Sequence, residues 1–440
     1  MPGDEVARDT IAALATPPGR GAIGVVRVSG PRVPDIATTI LGALPAPREA
    51  RFVRFHDAAG APIDEGLVLY FPAPHSYTGE AVLEMQGHGG PIVMHTLLSA
   101  CLDAGARLAE PGEFTRRAFL EGKLDLAQAE AVADLIDASS REAARAALRS
   151  LSGEFSSAVQ ALHAGLVELR ALIEAMLDFP EEQVDLVHRA DAAARLGRIA
   201  ATLEEILRKS REGRLLRSGI HVVLAGRPNV GKSSLLNRLA GEERAIVTPI
   251  AGTTRDALRE PIQIEGVPLT LVDTAGLRQP SDSIEQLGIE RTQRELAQAD
   301  LVLLVEEAGE PSSQAPELAS QAQRLVVYNK ADLVPRFDPP AGALAVSAKT
   351  GEGLSALRAA ILAAAGWTST GESVYLARER HVRALEMARG HIEAAQRELP
   401  RWELLAEELR LAHGALGSIT GEFTTEDLLG QIFSRFCIGK

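Results

Sequence analysis

The chain has two cysteines in 440 residues, Cys101 and Cys437. That is too few for a disulfide framework and points to a reducing compartment, so a cytoplasmic location is expected. No stretch approaches the roughly 18 uninterrupted apolar residues of a membrane-spanning helix, which argues against an integral membrane protein. Met1 to Thr10 is polar and acidic, not a basic segment ahead of an apolar one, and predicts no secretory leader. Positive charge is also in short supply: 46 Lys and Arg face 59 Asp and Glu, a formal net charge of −13. A protein that is mainly an electrostatic binder of nucleic acid needs clustered Lys and Arg, so that class is disfavoured. RNA held on a local basic face or jointly with a partner stays compatible. There is no internal repeat and no low-complexity tract, and no proline occurs between Pro111 and Pro180. The 46% apolar content supports sizeable cores, and the length predicts two or three domains.

What is present is organised around Gly226-Arg227-Pro228-Asn229-Val230-Gly231-Lys232-Ser233. The apolar run Ile220–Ala225 precedes it and the helical pattern Ser234–Leu239 follows, the strand–loop–helix context of a phosphate-binding loop. Glycines let successive backbone N–H groups turn inward, and the helix N-terminus adds positive potential. Lys232 reaches terminal phosphates, and the Ser233 hydroxyl suits Mg²⁺. A fortuitous turn of the same composition is the alternative, and the next hundred residues set it aside. Asp273-Thr274-Ala275-Gly276 ends the apolar run Leu269–Val272, placing Asp273 to hold Mg²⁺ through water and Gly276 to donate its N–H to a γ-phosphate. Asn329-Lys330-Ala331-Asp332 ends another strand pattern. A carboxylate at Asp332 accepts from N1–H and the exocyclic amine of guanine, where adenine offers the wrong pattern. Ser347-Ala348-Lys349 supplies a backing loop for the base. Four motifs in this order imply a GTPase domain.

One residue is missing from that domain. Many small GTPases carry a glutamine after the Asp-x-x-Gly motif to orient the attacking water, but here Leu277 stands there. The water must be oriented by another group. The first switch is read at Thr248-Pro249-Ile250-Ala251-Gly252-Thr253-Thr254-Arg255-Asp256, with Thr254 as a second Mg²⁺ ligand, and Asn229 suits a monovalent cation beside the phosphates.

The flanks differ from this domain and from each other. Up to about Glu121 the chain is strand-like, with runs at Gly24–Ser29, Arg51–Phe55, Gly66–Phe71 and Ala81–Met85, and predicts an α+β domain. Loops are expected at Thr16–Gly21, Pro72–His75 and Gln86-Gly87-His88-Gly89-Gly90. Arg27 and Glu84 lie within strand patterns, where composition favours pointing to solvent over lining a pocket; His88 reads as a loop histidine without an assigned role. From Leu124 the composition turns to Ala, Leu, Glu and Arg. Leu166, Leu169, Leu172, Ile173, Met176 and Leu177 keep helical spacing. Helical patterns at about Glu181–Arg217, Tyr375–Leu399 and Trp402–Leu416 bracket the GTPase segment and predict that it is inserted into a helical bundle. Gly309–Pro316 and Pro335–Gly342 read as surface loops.

These residues carry a resemblance to the MnmE (TrmE) family of tRNA modification GTPases, over essentially the whole length. It rests on Ala15–Gly21, Gln86–Gly90, Pro111-Gly112-Glu113-Phe114-Thr115, Leu124–Glu130, Gly252–Asp256 and the terminal Phe436-Cys437-Ile438-Gly439-Lys440. The last is the most specific, because ribosome-assembly GTPases share the central motifs but not that tail. The resemblance implies a tetrahydrofolate-binding and dimerisation domain at 1–120, a helical domain at 121–215 continued at 369–440 with the cysteine-bearing tail, and a GTPase domain at 216–368. Folate contacts, to a 5-formyl or 5,10-methylene derivative, would be Arg27, Glu84, Lys123 and Lys440. The nucleotide set would be Asn229 to Ser234, Thr248 to Thr254, Asp273 to Gly276, Asn329, Lys330, Asp332 and Ser347 to Lys349. K⁺ would sit on Asn229, Thr248, Ile250 and Thr253 in place of an arginine finger, with Mg²⁺ on Ser233 and Thr254. Glu285 would orient the water, joining Lys232 and Cys437 as catalytic residues. Implied partners are a second copy of the chain, tRNA, and an FAD-containing protein of the MnmG type. Together they would place an aminomethyl or carboxymethylaminomethyl group on C5 of the wobble uridine. A ribosome-assembly GTPase would instead carry a basic appendage, and a non-catalytic GTP switch would keep the same motifs without turnover.

Overall fold

The computed structural model describes residues 9–178, 185–242, 259–273, 294–310, 322–368, 374–422, 426–434 and 436–439. The chain divides into two compact units, Met1–Ala133 with Gly417–Lys440, and Asp134–Leu416.

The first unit is built on a six-stranded sheet: β1 (Ile11–Leu14), β2 (Ile23–Ser29), β3 (Arg51–His56), β4 (Pro62–Phe71), β5 (Val82–His88) and β6 (Arg107–Leu108). The spatial order is β3-β4-β5-β2-β1-β6, antiparallel except for the β1–β6 pair. Period-two alternation puts Val26, Val28, Phe55, Val68, Leu83 and Met85 on one face, in one apolar core with α1 (Val33–Leu41) and α2 (Pro91–Asp103). Proline in the first turn suits the start of α2, and Gly42 in the left-handed region closes α1 by donating to the Thr38 carbonyl. Helices α3 (Glu113–Leu120) and α4 (Leu126–Ile136) follow. Leu126 and Ala129 of α4 share a small core with Leu429, Ile432 and Phe433 of the C-terminal helix Glu426–Phe433, and with Phe436.

Gln86-Gly87-His88, expected as a loop, is strand. Gly87 pairs with Gly24 across β5 and β2. A Cβ at Gly24 would lie 2.3 Å from the Met94 sulfur, and one at Gly87 would lie 2.5 Å from a carboxylate oxygen of Asp64. Glycine here allows close approach within a sheet, which in sequence looks the same as turn chemistry.

The second unit holds α5 (Arg141–Leu151), α6 (Glu154–Asp178) and α7 (Asp185–Ser218), then a sheet of β7 (Ile220–Ala225), β8 (Arg259–Ile264), β9 (Val267–Asp273), β10 (Leu301–Glu307), β11 (Gln323–Asn329) and β12 (Leu344–Ala345). Its helices continue as α8 (Lys232–Glu242), α9 (Leu354–Ala364), α10 (Glu379–Arg397) and α11 (Trp402–Thr420). Strand order is β12-β11-β10-β7-β9-β8, parallel except for the β8–β9 hairpin. Central β10 is buried from Leu301 to Val305, the continuous apolar run of a strand covered on both faces. This is the expected architecture: an α+β part, a helical part, and an α/β sheet of P-loop type lying between helical segments.

The helical pattern read from Tyr375 is not helix until Glu379. Residues 374–378 have no regular secondary structure and pass along α5: the Arg149 guanidinium donates to the Val374 carbonyl at 3.0 Å and the Ser150 hydroxyl to the Leu376 carbonyl at 3.2 Å. Gly213, mid-helix in α7, allows their close approach to that helix, since a Cβ there would stand 1.6 Å from the Tyr375 carbonyl oxygen. The apolar residues Val374 and Leu376 are spaced for this packing, not for a helix face. Among the described residues no helix is long and apolar enough to cross a membrane.

Candidate functional site

The parallel sheet of the second unit ends on one edge with its polar residues together, because parallel register aligns the strand C-termini. Asp273, the last residue of β9, is paired with Leu224 of β7, and Asn329 of β11 with Glu307 of β10. Between β7 and α8 the loop bends through Gly226 at φ +150°, Asn229 at +67° and Gly231 at +91°. A side chain at Gly226 would meet the Val305 carbonyl at 2.2 Å, and one at Gly231 the Asn329 amide nitrogen at 2.3 Å. Glycine is therefore required twice.

Lys232 is 4% exposed, and its ammonium donates to the carbonyls of Gly226 (2.9 Å) and Arg227 (2.8 Å), lying inside the loop. The Ser233 hydroxyl donates to Asp273 Oδ2 at 2.5 Å, which brings two hard oxygen ligands together at the start of α8. Asn329 ties the loops: Nδ2 donates to the Val230 carbonyl at 2.9 Å, and Oδ1 accepts the Ala348 N–H at 3.1 Å. Asp332 is exposed, with Oδ1 accepting the Ser347 hydroxyl at 2.6 Å. Lys330 turns through φ +62° and its ammonium donates to Glu307 at 2.6 Å, a partner that sequence reading did not select. Ser234 is exposed in the first turn of α8, and Asn229 and Lys349 are exposed as well. The structure thus gathers Gly226 to Ser233, Asp273, Asn329 to Asp332 and Ser347 to Lys349. Thr248 to Thr254, Thr274 to Gly276, Leu277 and Glu285 lie outside the described residues.

A second group of predicted residues meets in the first unit. Arg27 of β2 and Glu84 of β5 are cross-strand partners, and their side chains pair at 2.8 Å, 23% and 20% exposed. They do not simply point to solvent, as composition favoured. The guanidinium carbon of Arg27 lies 5.7 Å from the ring centres of both Tyr77 and Phe114, within cation–π range. Neither ring was singled out from sequence for this role; Phe114 sits in a noted motif, but no spacing rule brings it to Arg27.

Arg27 also donates to the Gly439 carbonyl at 3.4 Å, so the C-terminal tail ends beside the pair. The Gly112 N–H donates to the Cys437 carbonyl at 3.4 Å, and a Cβ on Gly439 would lie 2.1 Å from the Leu14 carbonyl. Residues 436–439 are therefore held, with the Cys437 thiol exposed. The other thiol, Cys101, is buried, which pushes its pKa up to about 12. Lys123 is exposed and lies beside Gly79, where a Cβ would meet its Cε at 3.4 Å; Lys440 lies outside the described residues. His88 is not in a loop: it ends β5, its backbone N–H and Nδ1 both bonded to Asp64. That hydrogen bond, with the Asp64 charge, raises its pKa above the ordinary imidazole value.

Comparison with known proteins matches two family models along the chain. A family profile described as the MnmE helical domain matches residues 126–437, and one described as the GTP-binding protein TrmE N-terminus matches residues 10–123. The chain is 60% identical over 443 residues to the tRNA modification GTPase MnmE of an Azoarcus species, covering 98% of both chains. It is 58% identical over 439 residues to the protein of that name from Thiobacillus denitrificans, again covering 98% of both. Among solved structures, the G domain of the T. maritima FeoB iron transporter is 28% identical with a TM-score of 0.26, covering 33% of this chain and 98% of that one. Matched along both of its parts, the chain belongs to the MnmE (TrmE) family of tRNA modification GTPases.

Proposed function

We propose that this chain is a K⁺-stimulated GTPase acting in the cytoplasm as a homodimer. With an FAD-containing partner of the MnmG type, it takes part in adding an aminomethyl or carboxymethylaminomethyl group to C5 of the wobble uridine of certain tRNAs. The observation that carries the hydrolytic part is the convergence of Lys232, the Ser233–Asp273 pair and the Asn329–Asp332 loop on one sheet edge. In this reading the Lys232 ammonium leaves the Gly226 and Arg227 carbonyls for phosphate oxygens. Ser233 and Thr254 would hold Mg²⁺, with Asp273 beside Ser233, and Asp332 would exchange the Ser347 hydroxyl for the guanine edge. Mg²⁺ supplies neutralisation of phosphate charge. Glu285 orients the water. Asn229, Thr248, Ile250 and Thr253 hold K⁺, and the exposed amide of Asn229 on the loop fits a cation ligand.

For the first unit, Arg27 and Glu84 with Lys123 and Lys440 would bind a tetrahydrofolate derivative. The charged pair, partly exposed and flanked by Tyr77 and Phe114, has the donors and acceptors for a heterocyclic edge. The domain organisation consistent with this is a folate and dimerisation domain at 1–120, a helical domain at 121–215 and 369–440, and a GTPase domain at 216–368.

Hydrolysis in K⁺ and in Na⁺ of equal ionic strength tests the proposal. The rate should rise with K⁺, and Asn229→Ala should remove most of the difference with GTP binding largely kept. Equal rates in the two salts would overturn the cation assignment, and no turnover in either would overturn the GTPase reading.

A further inference from the structure

The β8–β9 hairpin joins the nucleotide edge of the sheet to the helical part of the same unit. β8 begins at Arg259, just past the sequence read as the first switch, and β9 ends on Asp273. Six paired positions lock the strands together, from Arg259 with Val272 to Ile264 with Val267. The tip is the two-residue turn Glu265-Gly266, at φ +50° and +80°, values that favour glycine and fit a tight hairpin.

The tip does not end in solvent. A Cβ on Gly266 would lie 2.3 Å from a carboxylate oxygen of Glu142 and 2.5 Å from its carbon, so the bare backbone rests on the first turn of α5. The Gln263 side-chain amide donates to the Ser139 carbonyl at 2.5 Å, one residue before Ser140, whose hydroxyl caps α5 by accepting the Ala143 N–H. Ile262, Ile264 and Val267 share one apolar core with Ala143, Ala146 and Ala147, which are 0–2% exposed. Leu215 and Leu216 from the end of α7, and Leu376 from the segment before α10, belong to the same core. Both chain connections between sheet and helices therefore pass through the place where the hairpin docks.

We propose that this docking is the coupling contact of the unit: the hairpin tip, through Gln263 and Gly266 against Ser139 and Glu142, makes α5 sense which nucleotide the sheet edge holds. The proposal rests on the GTPase reading of that edge. A doubly bonded hairpin six pairs long moves as one piece, and close-packed alanine contacts have no slack to absorb a shift. A displacement at Asp273 or at the start of β8 must then either be resisted by α5 or repack it, and packed interfaces repack in discrete steps. By linkage, whatever nucleotide does to the docking, loosening the docking does to nucleotide preference.

That reciprocity gives the test. The full-length chain, with Gln263→Ala and Gly266→Ala, is titrated with GDP and with a non-hydrolysable GTP analogue in K⁺ buffer. Amide exchange of residues 138–147 is followed in each state. A contact that only adds stability would leave the ratio of the two affinities unchanged. Coupling predicts that Gln263→Ala shifts that ratio about fivefold, the equivalent of one hydrogen bond, and that Gly266→Ala shifts it further. It also predicts that exchange at 138–147 differs between the two nucleotides in the wild type and converges in the variants. Should Gly266→Ala not fold, Gln263→Ala decides alone. An unchanged ratio with nucleotide-independent exchange overturns the proposal, whereas a wild-type chain that binds neither nucleotide overturns the GTPase reading beneath it.

Discussion

Asp332 shows how far a single side chain is prepared for its partner. Its carboxylate is oriented by the Ser347 hydroxyl at 2.6 Å, and Ser347 is itself fully buried and accepts the Thr350 N–H at 3.1 Å. An incoming base meets a fixed acceptor. Replacing it by an amide, Asp332→Asn, removes an acceptor-only group and adds a donor. Guanine loses a charge-assisted partner at N1–H and the amine, while xanthine, with a carbonyl in place of the amine, gains a neutral N–H donor. Competition binding of GTP against XTP should move toward XTP by at least about tenfold, since one such bond is worth roughly 1.5–3 kcal/mol. Retained selectivity for GTP would mean that Asp332 does not face the base. The type and chain position of this residue could be read directly from the Asn-Lys-Ala-Asp motif. Its orienting hydroxyl could be read only as a neighbouring motif, because the bond joins residues fifteen apart with a loop and β12 between them.

At the level of elements, α3 is fixed to the first sheet by charge. Arg117 donates to Glu80 at 3.0 Å, to Glu113 at 2.9 Å and to Asp9 at 2.7 Å, while Arg107 donates to Glu113 at 2.6 Å and also bonds Asp9. Glu80 and Glu113 are each 8% exposed. Burial alone would raise the Glu113 pKa, but bonds from Arg107, the Glu110 N–H and Arg117 outweigh it and hold the group below the ordinary carboxylate range. Asp9 is likewise lowered, its burial outweighed by the two guanidinium groups. A depressed folded-state value means the stabilisation is complete above the unfolded carboxylate value of about 4, and is lost as pH falls through the folded value. Calorimetric melting of the full chain should therefore show this contribution intact from pH 7 down to about pH 5 and lost as the pH falls below about 4. Arg117→Ala leaves buried carboxylates short of a partner and should cost roughly 3–5 kcal/mol at neutral pH, with a shallower acid dependence. An unaltered pH profile in the variant would show that the network does not carry the effect. None of these pairings follows a helical or strand period, apart from Glu113 and Arg117 one turn apart.

For the whole molecule, the tail is the feature with the clearest separation of functions. Phe436 is 6% exposed in the small core around Leu126, Gly439 is buried against Leu14, and the thiol between them is exposed. This arrangement presents Cys437 without tying up its sulfur. Cys437→Ser preserves approximate size but replaces the thiol by a much weaker nucleophile. K⁺-stimulated GTP hydrolysis should stay near the wild-type rate, because the tail is not part of the GTPase motifs. Wobble-uridine modification, read by mass spectrometry of tRNA from cells relying on the variant, should be lost or greatly reduced. Full modification by the Ser variant would remove any chemical role for the thiol.

The sequence by itself determined the parts whose physics is local. A phosphate-binding loop needs glycine, lysine and serine at set spacing between a strand and a helix, so Gly226 to Ser233 could be placed before any coordinates. So could the long helix around Leu166 to Leu177, whose apolar spacing extends over α6. Tertiary structure decided whatever depends on distant segments meeting. Arg27 and Glu84 became a pair because β2 and β5 lie side by side in antiparallel register, fifty-seven residues apart. Gly87 and Gly213 proved to be sites of close approach, since only packing reveals what stands opposite a missing Cβ. Tyr375 lies outside the helix because α7 offers a glycine, Gly213, for its carbonyl to approach. A periodic pattern specifies which face is apolar, and the elements packed against that face decide the backbone and the contacts.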